Sequence, residues 1–346
     1  MHKVHSFVSD DQQIDTDFVT GHPGNTTKEQ DMKVEELQKD LLKEGFSERI
    51  DLPSMLRFLR ARKFDVSQAK TMFIECERWR KDFGVDDIVK TFHYHEKLDV
   101  FKFYPQYYHK EDREGRPIYI EHLGKINLHE MYKITTEERM LQNLVYEYEK
   151  FIGYRLPACS RKYGKLIETS CTIMDLKGVG ISSISSVYGY VKRASAIGQA
   201  RYPERMGKFF MINAPWGFSS AFKVIKLLLD PATVSKIYIL GTNYKSVLLD
   251  QIPEENLPKT LGGTCECDGG CEFSDAGAWN DPQFIESQNE NNNQDIDNNN
   301  VSNAIQGKTV QMEQSHVSVL LNDVNCRKQL ELTPAFSNAE DTHPIR

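Results

Sequence analysis

Few of the 346 residues stand in patterns that could do covalent or metal chemistry. Cys265-x-Cys267-x3-Cys271 offers three thiolates at spacings short enough for one zinc ion. A structural zinc needs a fourth ligand, and no histidine stands nearby in the chain. The expectation is therefore a flexible loop with free thiols and no metal. Gly217-Phe218-Ser219-Ser220-Ala221 follows one predicted strand and opens a predicted helix, as the nucleophile of a hydrolase would. In that arrangement the motif closes on glycine and the base histidine comes later in the chain. Here Ala221 closes it, and no histidine occurs between His129 and His316. Helix-capping serines explain the motif better. Gly178-Val179-Gly180 follows an apolar strand like a dinucleotide turn, but Ser183 takes the third glycine position and no acid lies about 20 residues on. His93 and His95 read as surface residues of a connecting segment. No catalytic set assembles, so the chain is not expected to be an enzyme.

Other residues suit binding. Ser170, Thr172 and Met174 alternate along a predicted strand at 166–176 and share one of its faces. Two hydroxyls on one face of a central strand need partners. These are either local backbone and water or the polar group of a ligand. Tyrosines crowd the preceding stretch at 104, 107, 108, 119, 146, 148 and 154, and each joins an apolar body to a polar tip. From Trp216 to Leu229 the chain is apolar nearly all round once past its capping serines, broken by Lys223 and Lys226. Such a helix is either buried, with its lysines snorkelling, or in contact with lipid. Glu204 and Arg205 precede one strand, and Thr233 and Lys236 precede the next. An ion pair between Glu204 and some nearby base is the ordinary reading.

The elements that must position these residues follow from caps and periodicity. Residues 1–25 are polar and end in the turn His22-Pro23-Gly24-Asn25, which leaves them disordered. Thr26 and Glu29 form a candidate capping box for a helix reaching about Gly45. A second helix is predicted over 54–62. A third follows the cap Asp65-Val66-Ser67-Gln68, carries Ala69, Met72, Phe73, Cys76, Trp79 and Phe83 at helical spacing, and stops at Gly84. Residues 26–95 thus form an all-helical subdomain. Over 96–284, strands at 117–122, 166–176, 208–213 and 237–241 alternate with helices at 136–155, 183–200, 218–229 and 245–251. The predicted class is α/β, a largely parallel or mixed sheet flanked by helices. Residues 285–346 hold an asparagine-rich acidic tail with too little apolar surface to offset its ordering entropy.

Composition excludes several classes. With 43 basic against 50 acidic residues the net charge is −7, which argues against a nucleic-acid binder. No apolar run approaches the ~20 residues of a membrane span. The N-terminus lacks a secretory core, and lipidation motifs are missing from both ends. Seven scattered cysteines fit a reducing compartment. A cytoplasmic protein is expected.

Several long stretches, in order, resemble the CRAL-TRIO lipid-binding family, in its fungal phosphatidylinositol/phosphatidylcholine transfer branch. They are Met55-Leu-Arg-Phe-Leu-Arg-Ala-Arg-Lys-Phe64, Phe103-Tyr-Pro-Gln-Tyr-Tyr-His109, Thr169-Ser-Cys-Thr-Ile-Met-Asp-Leu-Lys-Gly178, Tyr202-Pro-Glu-Arg-Met-Gly-Lys208 and Asn256-Leu-Pro-Lys-Thr-Leu-Gly-Gly263. The resemblance covers about residues 28–284. It implies a CRAL-TRIO fold with an apolar pocket for one phospholipid at a time and no other cofactor. It places the phosphatidylcholine headgroup at Tyr108, Tyr119, Tyr148, Ser170 and Thr172, and that of phosphatidylinositol at Arg62, Lys63, Glu204, Thr233 and Lys236. It makes 216–229 a gate helix, with Phe218, Phe222, Ile225 and Leu228 on it and Gly263 near its hinge. It further implies a monomer that touches membranes transiently, associates peripherally with the Golgi, supports vesicle trafficking there and presents phosphatidylinositol to a lipid kinase. A sterol or isoprenoid ligand, or a non-exchanging lipid-sensing scaffold, are the alternatives. The cysteine-rich segment and the tail depart from the family pattern.

Overall fold

The computed structural model describes residues 20–285, apart from 219–221, 224, 225 and 227–230. The chain divides into two compact units, Met1–Glu75 and Cys76–Arg346. The first holds α1 (Lys28–Lys43), α2 (Leu52–Arg60) and the start of α3 (Val66–Phe83). The capping box of α1 uses Thr27 and Gln30 rather than Thr26 and Glu29. Both pairs have the required spacing. The later one is selected where the Gln30 side chain also reaches Thr20 Oγ1, at 3.1 Å. Asp51 caps α2 and Pro53 occupies its first turn, so this helix starts two residues earlier than its apolar pattern suggests. Leu37, Leu41, Met55, Leu56, Leu59 and Phe73 are fully buried, and the Phe73 ring meets those of Phe46 and Phe58 edge-on. Lys63 and Phe64 both adopt left-handed backbone, at φ 51° and 61°, an uncommon state for side-chain-bearing residues.

Gly84 ends α3 with φ 72°, as its position in the sequence predicts. The second unit continues through α4 (Val85–Thr91), α5 (Lys97–Phe101), β1 (Gln106–Glu111), β2 (Pro117–Glu121), α6 (Leu128–Met131), α7 (Glu137–Lys150), α8 (Leu156–Tyr163), β3 (Ser170–Asp175), α9 (Ile181–Arg201), β4 (Met206–Ile212), α10 (Pro231–Val234), β5 (Ile237–Ile239), α11 (Lys245–Gln251) and α12 (Cys271–Ser274). Between α7 and α8 lies a turn of π-helix, Phe151–Arg155. Pro157 lacks an N–H for the regular ladder, and the wider turn accommodates it.

The five strands lie in chain order; β1 pairs antiparallel with β2, and the other pairings are parallel. The sheet is therefore mixed. Strand β1 falls in the tyrosine-rich stretch, where no strand is predicted. Its alternation is broken by a bulge between Tyr108 and Glu111, with Lys110 at φ 50°.

One face of the sheet is core. Ile118, Ile120, Cys171, Ile173, Phe210 and Ile212 are buried there against Leu248, Ile252, Leu257 and Leu261. Strand register puts Tyr119, Thr172, Phe209 and Ile237 in one row across the opposite face, and Glu121, Met174, Met211 and Ile239 in the next. Of these eight, only Thr172 is fully buried.

Candidate functional site

The second face is unusual because it is apolar and yet half exposed. Met174, Phe209, Met211, Ile237 and Ile239 are all of intermediate exposure. An apolar wall of this kind, carrying a few placed polar groups, is what a small-molecule cavity is built from.

The polar groups sit in two places. Ser170 Oγ and Thr172 Oγ1 stand 3.3 Å apart near the start of β3. The Ser170 hydroxyl also reaches the Arg205 carbonyl, at 3.4 Å. Thr172 pairs in register with Tyr119, and Tyr119 with Tyr108, whose ring centroid is 4.9 Å from that of Tyr119. Burial pushes both phenols up, so they are neutral hydroxyls at physiological pH. Tyr108 is committed to its surroundings. Arg155 lies 4.1 Å from its ring centroid, and Phe151 and Trp279 flank it. Tyr148 belongs to α7 and stacks on Tyr202 at 4.3 Å with the planes 4° apart. Burial pushes its phenol up to about 12. Gly198 on α9 makes this possible, since a Cβ there would stand 2.6 Å from the Tyr148 hydroxyl.

The second polar group is the pair Glu204 and Lys236, 3.3 Å apart and each about one quarter exposed. They precede β4 and β5, and parallel pairing of those strands brings them together. Thr233 joins them because its carbonyl accepts from the Lys236 N–H at 3.2 Å. Glu204 holds a left-handed backbone, φ 58°, a conformation that costs energy and is common at ligand sites. Of the other predicted positions, Arg62 and Lys63 belong to the first unit, Arg62 half buried and Lys63 exposed.

The predicted gate is partly described. Phe218 and Phe222 are helical and half buried, Lys223 and Lys226 are helical and exposed, and Ile225 and Leu228 lie outside the described residues. Trp216, just before them, is entirely exposed. Gly263 lies far along the chain, where its missing Cβ lets the backbone approach the Leu257 carbonyl; a Cβ would stand 2.0 Å from that oxygen.

Sequence reasoning passed over two groups. Glu121 sits on the apolar face, accepts from the Tyr104 hydroxyl, and has its pKa raised by burial. His109 is completely buried, and desolvation lowers its pKa to about 4. Its Nε2 stands 3.4 Å from Cys265 Sγ. The expectation that no histidine accompanies the three cysteines is therefore corrected: it holds along the chain and fails in space. A search outward from the cysteines along the sequence could not reach His109, whereas a list of every histidine would have included it.

Comparison with known proteins gives a consistent picture. Residues 102–263 match the CRAL/TRIO domain, and residues 30–75 match the CRAL/TRIO N-terminal domain. The chain is 62% identical over 265 residues to the Sec14 cytosolic factor of Schizosaccharomyces pombe, an alignment covering 77% of this chain and 93% of that protein. It is 58% identical over 275 residues to the SEC14 cytosolic factor of Kluyveromyces lactis, covering 79% and 91%. A phosphatidylinositol/phosphatidylcholine transfer protein of Arabidopsis thaliana, SFH12, is 36% identical over 288 residues, covering 82% of this chain and 53% of that protein. Among solved structures, the crystal structure of Sfh5 superposes with a TM-score of 0.51 at 17% identity, covering 64% of this chain and 83% of that one, which bears on the fold alone.

Proposed function

Since this chain belongs to the CRAL/TRIO family and is most of the length of two Sec14 cytosolic factors, we propose that it is a phospholipid carrier, exchanging phosphatidylinositol and phosphatidylcholine between membranes. The observation that carries the reading is the half-exposed apolar face of the sheet, with a hydroxyl pair and an ion pair at its margin.

The physical need is clear. A two-chain phospholipid leaving a bilayer exposes about 30 methylenes, at ~0.8 kcal/mol each, or on the order of 25 kcal/mol. A carrier must replace most of that burial and open only at a membrane. Met174, Phe209, Met211, Ile237 and Ile239 are suited to line the acyl chains. Ser170 and Thr172 donate to the phosphatidylcholine phosphate, and Tyr119 and Tyr148 face its quaternary ammonium through their rings, with Tyr108 buttressing Tyr119. For phosphatidylinositol, Lys236 balances the phosphate while Glu204, acceptor-only when ionised, takes inositol hydroxyl donors, with Thr233 completing the group. The segment around Phe218 and Phe222 closes the cavity in solution and rests in the interface when open, with Gly263 near its hinge. No helix among the described residues is long and apolar enough to cross a membrane, consistent with transient peripheral contact.

The reading extends to a monomeric cytoplasmic protein, no enzyme, that visits Golgi membranes and presents phosphatidylinositol to a lipid kinase. Its organisation follows as a helical part over 26–95, a lipid-binding part over 96–284, and terminal segments at 1–25 and 285–346. The decisive experiment extracts the purified chain and identifies its bound lipid by mass spectrometry, alongside transfer of labelled phosphatidylinositol and phosphatidylcholine between vesicles. One phospholipid per chain and transfer of both lipids is the expected result. A sterol or isoprenoid guest, or a tightly held lipid that does not exchange, overturns it.

A further inference from the structure

We propose that His109, Cys265, Cys267 and Cys271 form a zinc site with three thiolates and one imidazole, independent of the lipid cavity. Their ligand atoms all lie within 4.8 Å of one another. Tetrahedral zinc with Zn–S bonds of ~2.3 Å and a Zn–N bond of ~2.0–2.1 Å requires S···S separations of about 3.8 Å and S···N separations of about 3.5 Å. Cys265 Sγ and Cys267 Sγ are 3.8 Å apart, and His109 Nε2 is 3.4 Å from Cys265 Sγ. These two separations match edges of a zinc tetrahedron, and the other four lie within 4.8 Å. A disulfide, at ~2.05 Å, would demand a much closer pair of sulfurs.

The second layer of contacts settles which imidazole nitrogen is available. Ser274 Oγ gives its single proton to the Cys271 carbonyl, at 2.9 Å. It can therefore only accept from His109 Nδ1, 3.2 Å away. Nδ1 then carries the hydrogen, and the lone pair of Nε2 points at the sulfurs. Orientation of a ligating histidine through its other nitrogen is a regular feature of zinc sites. The loop is shaped for three ligands from one short segment. Gly269 and Gly270 both have positive φ, at 74° and 100°, and the Gly270 N–H closes a turn onto the Cys267 carbonyl at 2.9 Å. Cys265, Cys271 and His109 are buried, and Cys267 is the half-exposed edge through which an ion arrives. Three soft thiolates and an imidazole in tetrahedral array select zinc over magnesium or calcium.

The site joins β1 to a segment far away in sequence. The same two pieces also meet where the Ala278 N–H donates to Glu111 Oε1 and where the Lys110 N–H donates to the Ala276 carbonyl. Zinc is thus a clamp that holds the C-terminal segment, with the fully buried Trp279, against the sheet edge.

The test uses the full chain without a histidine tag, purified under reducing conditions and free of chelator. Elemental analysis should find close to one zinc per chain after gel filtration. Cobalt(II) added to metal-stripped protein should give thiolate-to-metal charge transfer together with intense tetrahedral d–d absorption. Cys267→Ser, the least buried change, should lose most of the zinc while keeping its far-ultraviolet dichroism. His109→Gln should keep the charge transfer but weaken cobalt binding at least tenfold. Removing zinc should lower the melting temperature by several degrees. A reduced, folded wild-type chain that carries no zinc and gives no tetrahedral cobalt spectrum overturns the proposal. So does zinc that stays stoichiometric in both variants.

Discussion

Glu204 and Lys236 form an ion pair across 32 residues because each lies one or two residues before one of two adjacent parallel strands, β4 and β5. The pair is half buried where β4 and β5 begin, a position at which a charge is retained at a cost unless something uses it. We assign that use to the phosphatidylinositol headgroup. Lys236→Ala or Glu204→Val should lower phosphatidylinositol transfer about tenfold or more, the loss of one charge-assisted contact of ~1.5–3 kcal/mol, and leave phosphatidylcholine transfer largely intact. Vesicle assays with each lipid, on protein shown to be folded, decide it. Equal loss of both activities contradicts separate headgroup positions.

Ser170→Ile combined with Thr172→Ile should do the reverse. It removes both hydroxyls of the 3.3 Å pair and puts β-branched isoleucines, which suit a strand, at both positions. Phosphatidylcholine transfer should fall about tenfold, with overpacking near Phe209 costing ~1–3 kcal/mol of stability. An unchanged phosphatidylcholine rate counts against the assignment.

Trp216 is fully exposed at the start of the segment proposed as the gate. An indole is suited to the headgroup boundary of a bilayer. Trp216→Ala should weaken binding to phospholipid vesicles by about tenfold or more, consistent with ~1.5–3 kcal/mol for burying a large apolar side chain, without changing the melting temperature. Sedimentation with vesicles measures it, and undiminished binding rejects a membrane role for this residue.

Gly263→Ala should destabilise the chain. The added Cβ would meet the Leu257 backbone oxygen at 2.0 Å, and backbone cannot yield as a flexible side chain can. A cost of ~1–3 kcal/mol is expected, which lowers the melting temperature by about 2–4 °C per kcal/mol in a chain of this size. Calorimetry of the variant against wild type tests it.

The Glu96 carboxylate is held at a pKa of about 2, chiefly by hydrogen bonds from Arg139, against the opposing effect of burial. Arg139 Nη2 donates to Glu96 Oε2 at 2.9 Å, and Thr135 donates to Glu96 Oε1 at 2.7 Å. A depressed carboxylate pKa stabilises the fold above the unfolded value of about 4.3. That contribution is lost as pH falls from there towards 2. Because the pair is partly exposed, ~1 kcal/mol is the scale. Glu96→Gln should lower stability at pH 7 and flatten its decline between pH 4.5 and 2.5, read from denaturant midpoints. A parallel decline in both proteins contradicts the coupling.

Much of this molecule was open to reading from the residues in order. Helix periods, the Asp65–Gln68 cap and the Gly84 stop are local, and local spacing sets them. The face shared by Ser170 and Thr172 follows from the period of a strand, and the apolar character of the segment after Trp216 is plain in composition. Strand β1 was not legible, because the bulge at Lys110 breaks the alternation by which a strand announces itself. Two relationships had no local signal at all. Register across β2, β3, β4 and β5 decides that Tyr119, Thr172, Phe209 and Ile237 form one row, and chain folding brings His109 to Cys265 across 156 residues. Period and capping depend on neighbours in the chain, so the sequence alone determined the longer helices, four of the strands and the face of the strand that carries Ser170 and Thr172. Which faces meet depends on burial and pairing over long separations, and that was decided only when the sheet closed.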